Sequence, residues 1–351
     1  MSQTRRQEQE DATTEVAEVA PGVLRLQLPI KFTGLGHVNM YALLDERGVA
    51  VLDPGLPGGG SWRAIVDRLG RADLTVADVH TVVVTHSHPD HFGGAGRLAH
   101  EAKAEIVAHV GFRVPWLPET YPDVVTLDDE GGAPSRWQGQ TMWNRKSFMP
   151  SIPKRLALRT LRRLQPRAFR PPVPTRRVAD GERVKLAGRE WVAQHTPGHT
   201  EDHLCLHDPE HGVLLAGDHV LPTITPHISG MGSTDRHDPL DAYLSALDKV
   251  AALEVGTALP AHGHPFTDLA GRVDAIKRHH HERLQRTVAI GEELGGEGSV
   301  EEFSQRLFRE RHWGLMAESE TYAHLEHLRH QGHATRRHEN GQAIYVIESA
   351  P

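Results

Sequence analysis

A chain of 351 residues with 38% hydrophobic and 24% charged residues is long enough to bury a substantial core and has the balance of a globular protein. Its 39 Lys+Arg against 46 Asp+Glu give a formal charge of −7, so there is no overall electrostatic reason to expect a nucleic-acid partner. One cysteine, Cys205, excludes an intrachain disulfide and thiolate-based zinc binding, and no apolar run approaches the ~20 residues needed to span a bilayer.

Residues 1–16 are polar and lack the apolar centre of a secretory signal, so a disordered tail and a cytoplasmic location are expected. Short β-rich runs follow from Val23, Val38, Val49, Thr81 and Glu105. Between the third and fourth, Trp62, Ile65, Val66 and Leu69 have helical spacing, with Gly70 as a stop. A second β-rich set starts at Arg183, Glu190, His203, Val213 and Thr257, with a helix over about residues 240–253 between the last two. Two similar blocks in which strands and helices alternate predict an α/β fold, sheet sandwiched by helices. Residues 116–175 interrupt the blocks as a basic insertion. From Ser151 to Asp180 there are nine Lys/Arg and one acidic residue, and Leu156, Leu158, Leu161 and Leu164 form an apolar stripe closed by Pro166. That pattern predicts a basic amphipathic helix.

The character changes after the first, strand-rich domain, taken as residues 17–267. A long helix is expected over 268–294, and Ser299 to Glu302 has the Ser-x-x-Glu form of a capping box that starts another. A third helix, over 317–331, is stopped by Gly332, and a hairpin turns at Asn340-Gly341. Helices followed by a two-stranded ribbon predict a winged-helix-like unit over 268–351.

The stretch VVVTHSHPDHFGG crowds His86, His88, Asp90 and His91 together just after an apolar run. With 26 histidines in the chain, a lone His proves little. Here, however, HTPGHTEDH supplies His199, LLAGDHV supplies Asp218 and LPAHGH supplies His262, and each also lies just past an apolar strand. Imidazoles and carboxylates at the mouths of buried strands offer converging lone pairs, which suits a borderline divalent cation. His109, His195, His203 and His219 lie near these motifs and match no ligand position. His37, in GLGHVNMY, and His227, in TPHISGMG, are candidates to line the pocket. Cys205 alternates with Leu204 and Leu206 and is read as packing.

With His86-Ser87-His88-Pro89-Asp90-His91, the chain resembles the metallo-β-lactamase-fold hydrolases, whose signature is His-x-His-x-Asp-His. The resemblance implies an αββα sandwich binding two divalent ions. His86, His88 and His199 would hold one, Asp90, His91 and His262 the other, and Asp218 would bridge them. Asp53, in VLDPG, matches a strand-end aspartate that orients a ligand. Zinc is the expected metal, with manganese and iron also suited to such a site. The spacing of TPGHTEDH to AGDHV, the later DPLDAYLSAL and the HHHER run at His279–Arg283 resemble the subgroup with a C-terminal winged helix, which includes an endoribonuclease and polyketide-releasing thioesterases.

The expected activity is hydrolysis by a metal-bridging hydroxide, with Asp218 between the ions and Asp90 receiving and passing on the proton. The first choice of substrate is a thioester, ester or lactone, free or on an acyl carrier. The alternative is phosphodiester cleavage of RNA, its backbone tracked by the basic insertion. A third reading, a winged-helix DNA-binding regulator, is opposed by Glu318, Glu320 and Glu326 on the helix that would meet DNA. The C-terminal unit is instead expected to brace the domain or a homo-oligomer.

Overall fold

The computed structural model describes residues 5–32, 34–114, 120–121, 140–146, 160, 170–230 and 237–348. Its first sheet has seven strands in chain order: β1 (Val16–Ala20), β2 (Val23–Phe32), β3 (Leu35–Asp45), β4 (Gly48–Leu52), β5 (Val79–Val83), β6 (Glu105–His109) and β7 (Arg176–Val178). The first four pair antiparallel, and β4 through β7 pair parallel. Parallel neighbours need crossovers. Helix α1 (Gly59–Arg71) supplies one between β4 and β5, and α2 (Pro89–Phe92) with α3 (Ala95–Ala102) lies between β5 and β6. The second sheet has the order β12-β11-β10-β9-β8, from β8 (Arg183–Leu186), β9 (Arg189–His195), β10 (Leu204–Asp208), β11 (Val213–Gly217) and β12 (Thr257–Pro260). Helix α4 (Pro239–Ala251) carries the parallel crossover from β11 to β12.

The period of two in these strands explains the layering. Tyr41, Leu43, Leu52, Val83 and Val107 point from the first sheet at Trp191, Ala193, Leu204, Leu215 and Leu259 of the second. Their neighbours Met40, Val51, Val82 and Val84 face the opposite way, onto Trp62, Ile65 and Leu69 of α1 and Leu98 of α3. Both faces of the strands are covered, which is why they read as continuous apolar runs. The result is the expected αββα order.

After β12 come α5 (Leu269–Glu293), β13 (Glu297–Ser299), α6 (Val300–Leu307), α7 (Leu315–His330), β14 (Ala334–Glu339) and β15 (Gln342–Ile347), the last strands making a β13-β15-β14 sheet. Asp268 caps α5 by accepting from the Gly271 N–H, and Ser299 with Glu302 forms the capping box that opens α6. Asn340 and Gly341, at φ +50° and +80°, close the hairpin. This unit does not have a core wholly its own. Leu284, Val288, Ala323 and Leu328 belong to the same buried cluster as Leu214, Tyr243 and Ala258 of the sandwich. Every side chain of α7 from Thr321 to Leu328 is buried, so that stretch has no free face to lay in a DNA groove, and the regulator reading loses its recognition helix.

Two expectations need adjusting. Residues 5–16 do not form a free tail: Glu8 is fully buried, and the segment packs along the rim of the sandwich. Polar composition pointed to disorder because it does not register that a carboxylate can be satisfied by backbone donors. Most of the basic insertion, including Leu156, Leu158, Leu161 and Leu164, lies outside the described residues. One of its described stretches, 140–146, buries Trp143 against Tyr322, with ring centroids 5.2 Å apart, and donates from the Trp143 indole to Glu318 at 2.7 Å. Among the described residues no helix is long and apolar enough to cross a membrane.

Candidate metal centre

The strand ends of both sheets open onto one site. His86 and His88 follow β5. His88 is the N-cap of α2, whose Pro89 start turns Asp90 and His91 in toward the same place. His199 sits in the β9–β10 loop, Asp218 follows β11 and His262 follows β12. His86, His88, His199 and Asp218 offer ligand atoms all within 4.8 Å of one another, and so do Asp90, His91 and His262. His88 Nδ1 lies 3.0 Å from the Nε2 atoms of both His86 and His199. Three nitrogens each about 2.1 Å from one tetrahedral ion would lie about 3.4 Å apart, close to that spacing. Asp218 spans the two groups: Oδ2 is 3.5 Å from His91 Nε2 and 3.4 Å from His199 Nε2, and Oδ1 is 3.3 Å from His262 Nε2. Asp90 Oδ2 is 3.7 Å from the Nε2 atoms of both His91 and His262. All seven expected residues are therefore brought together.

The far side of four of the five rings, all but His88, is held so that a lone pair faces inward. Nδ1 of His199 donates to the His227 carbonyl at 2.7 Å, and Nδ1 of His262 to the His37 carbonyl at 2.6 Å. Nδ1 of His91 donates to Asp53 Oδ2 at 2.8 Å. Nδ1 of His86 meets the Thr85 hydroxyl at 3.0 Å, and that hydroxyl donates to Asp53 Oδ2 at 2.7 Å. Each contact fixes a ring tautomer with Nε2 unprotonated. Asp53 also accepts from the Thr85 N–H at 2.9 Å and sits at φ +54°, a left-handed conformation that Asp tolerates better than most residues.

Three buried atoms aimed into this space, His91 Nε2, His262 Nε2 and Asp218 Oδ1, have no hydrogen-bond partner among the described residues. Native proteins rarely leave such atoms unsatisfied, and a divalent cation is the partner that two imidazole lone pairs and a carboxylate oxygen share. The electrostatics agree. Burial, reinforced by the neighbouring imidazoles, pushes His86 and His88 well below the usual histidine range. Burial also opposes a charge on His91 and His262, but the Asp218 carboxylate outweighs it, with Asp53 and Asp90 adding at His91, so both are raised. Burial would lift Asp218, yet His262 and His91 hold it well below the carboxylate range. The centre attracts positive charge, and a dication can take the place of those protons.

The two pocket candidates each lend a backbone carbonyl to a candidate ligand and turn their rings to other partners. His227 lends its carbonyl to His199, and its ring turns to Glu320 of α7, 3.3 Å away. His37 lends its carbonyl to His262, and its Nε2 accepts from the Gly263 N–H at 3.0 Å. Of the His279–Arg283 run, Arg283 reaches Glu320 at 3.5 Å and His280 pairs with His324 at 3.1 Å. The motifs missed His203 as a support. It is buried, its Nε2 accepts from the Asp218 N–H at 3.0 Å, and its Nδ1 meets the Thr196 hydroxyl at 2.8 Å. The neighbouring Gly217, at φ +52°, has no room for a side chain: a Cβ would lie 2.7 Å from His203 Nε2. Nothing in the local sequence marks His203, because its contact is made across the β10–β11 pairing.

A family model described as the metallo-beta-lactamase superfamily matches residues 33–262. The chain is 25% identical over 271 residues to lactamase-like protein aptB of Emericella nidulans, covering 77% of this chain and 64% of that one. It is 26% identical over 261 residues to nsrC of Aspergillus novofumigatus, an atrochrysone carboxyl ACP thioesterase, covering 74% of this chain and 59% of that one. The chain thus spans a little under two thirds of the length of these two fungal relatives. The crystal structure of a metallo-beta-lactamase family protein from Thermus thermophilus superposes with a TM-score of 0.72 at 28% identity, covering 94% of this chain and 100% of that one.

Proposed function

From the premise that this chain belongs to the metallo-β-lactamase superfamily and is a metal-dependent hydrolase, we propose that it binds two divalent ions and cleaves a thioester, ester or lactone. The observation that carries the two-ion reading is Asp218, whose carboxylate lies within reach of both groups, Oδ2 3.4 Å from His199 and 3.5 Å from His91, and Oδ1 3.3 Å from His262. Zinc suits the nitrogen-rich His86–His88–His199 group best, with manganese or iron able to take the carboxylate-containing group. When bound, such a pair supplies Lewis acidity toward the substrate oxygen and lowers the pKa of a shared water to about 7.

The chain's own residues do the rest. Asp218 spaces the two groups and is itself fixed by His203. Asp90, with Oδ2 3.7 Å from both His91 and His262, lies at the edge of the second group, where its carboxylate can take the proton of the attacking water and return it to the leaving group. Asp53 keeps the His91 lone pair directed inward. The carbonyl-substrate reading is supported by the relative nsrC, which is named a thioesterase. A small molecule or an acyl-carrier substrate both fit that reading.

The test pairs metal content with turnover. The wild-type chain should hydrolyse acyl thioesters or p-nitrophenyl esters and lose the activity to a chelator, and Asp218→Ala should lose both bound metal and turnover. Unchanged metal and turnover in Asp218→Ala would sink the two-ion reading. Cleavage of fluorescent single-stranded RNA with no esterase activity would replace the carbonyl substrate by a phosphodiester.

A further inference from the structure

The residues before β1 form a strap across the rim of the metal centre. The buried Glu8 carboxylate accepts from the Thr223 N–H at 2.7 Å, from the Ile224 N–H at 3.1 Å and from the Thr223 hydroxyl. Arg6 Nη1 donates to the Thr223 carbonyl at 3.2 Å. The loop gripped in this way is the one that leaves Asp218. Its Leu221 and Ile224 carbonyls are held from the other side by Arg272, each at 2.6 Å. The same strap reaches the loop that carries His262. Gln7 Oε1 accepts from the His264 N–H at 3.1 Å, and Glu10 Oε2 meets His264 Nε2 at 2.9 Å. The Glu10 carbonyl accepts from His37 Nδ1 at 2.8 Å, and His37 in turn accepts from Gly263 and supports His262.

The packing between strap and loops leaves no slack. A Cβ on Gly36 would lie 2.1 Å from the Glu10 carbonyl oxygen, and one on Gly263 would lie 2.7 Å from Pro222 and 3.4 Å from both Gln7 and Glu8. Both glycines flank the His37–His262 contact.

We propose that residues 6–10 are a positioning strap for the Asp90–His91–His262 group, so that metal affinity there depends on this N-terminal segment. The His86–His88–His199 group has supports of its own, Thr85 and the His227 carbonyl, and meets the strap only through the shared Asp218. The inference rests on the two-ion reading above and adds to it a reason for the second group to be the more easily emptied. Trimming or modification of the first ten residues would then leave a chain loaded at one group.

The experiment is a zinc titration of the full chain in competition with a chromophoric chelator, for wild type, Glu8→Ala and Glu8→Gln. A His262→Ala chain identifies which affinity belongs to which group. Glu8→Ala removes the acceptor of the Thr223 and Ile224 N–H groups and frees the strap, so zinc affinity at the His262 group should fall about tenfold or more, as for other residues that hold a metal ligand in place, with a clearly smaller loss at the His86 group, which the strap meets only through Asp218. Glu8→Gln should restore near-wild-type affinity, because its carbonyl oxygen can still accept from both N–H groups and its amide can donate to the Thr223 hydroxyl. A strap with a merely structural role would weaken both groups alike; that result, or unchanged affinities in Glu8→Ala, overturns the proposal. Should Glu8→Ala not fold, Gln7→Ala removes one contact to the His262 loop with Glu8 in place. Selective weakening there sustains the proposal, and unchanged affinities overturn it. A wild-type chain that binds fewer than two zinc ions overturns the two-ion reading itself rather than the strap.

Discussion

Asp53→Asn exchanges one buried oxygen for an N–H donor at nearly constant size and at a φ of +54° that Asn accepts readily. In the native chain Oδ1 accepts from the Thr85 N–H at 2.9 Å, while Oδ2 accepts from the Thr85 hydroxyl at 2.7 Å and from His91 Nδ1 at 2.8 Å. If the new amide nitrogen takes the Oδ2 position, His91 Nδ1 must lose its proton to accept from it. The ring proton then moves to Nε2, the atom aimed at Asp90 and His262, and competes with any metal there. If the amide is turned the other way, it opposes the Thr85 N–H, and a buried donor without an acceptor costs about 1–3 kcal/mol. Either arrangement should cost the second group about 10- to 100-fold in metal affinity, or about 1.4–2.7 kcal/mol. The assay is a zinc competition titration together with urea unfolding of the metal-free chain. A variant that binds both ions with wild-type affinity and unfolds at the wild-type midpoint would refute the tautomer argument.

Gly217→Ala should destabilise the chain by about 2–5 kcal/mol, from about 1–2 for the left-handed conformation and about 1–3 for the contact with His203. Denaturant unfolding measures this, and a loss below about 1 kcal/mol would mean that the turn relaxes. Asp218→Ala should abolish turnover and lower bound metal together, as set out for the proposed function. Glu320 gives a pH signature: burial would raise its pKa, but the His227 hydrogen bond and the Arg283 charge bring it down to about 2. A depressed carboxyl contributes stability that is present above its unfolded value and lost as the pH falls through the folded one. Glu320→Gln should therefore cost on the order of 3 kcal/mol at pH 7, with the difference from wild type shrinking as the pH drops from about 4.5 toward 2. A difference independent of pH would argue that the Glu320 charge does not stabilise the contact.

What the sequence displayed, and what it concealed, follows from how far each contact reaches along the chain. His86, His88, Asp90 and His91 were legible because Val82–Val84 marks a buried strand immediately before them. His199, Asp218 and His262 were legible for the same reason, each lying at the end of an apolar run. Asp53 was identified by its resemblance, and its bond to His91 spans 38 residues. His203 was passed over because its hydrogen bond to the Asp218 N–H depends on the partnering of two antiparallel strands. Glu8 was read as part of a solvated tail, since composition reports charge but not the N–H groups waiting more than 200 residues away. In α7 the acidic residues were read as a face opposed to phosphate; Glu326 is in fact buried and neutralised by Arg329 and Arg336, at 2.8 and 3.1 Å. The helix and hairpin boundaries of the C-terminal unit were close to those observed because caps and turns are written in neighbouring residues, Asp268, Ser299 and Asn340-Gly341.

The apolar cluster that Leu284, Ala323 and Leu328 share with Leu214, Tyr243 and Ala258 bears on any attempt to treat the C-terminal helices as a detachable cassette. A protease cut near residue 267 would strip the sandwich of its lining on one side and leave both fragments with greasy, mismatched surfaces. Recombination between relatives at this seam succeeds only when the two halves bring side chains already fitted to each other.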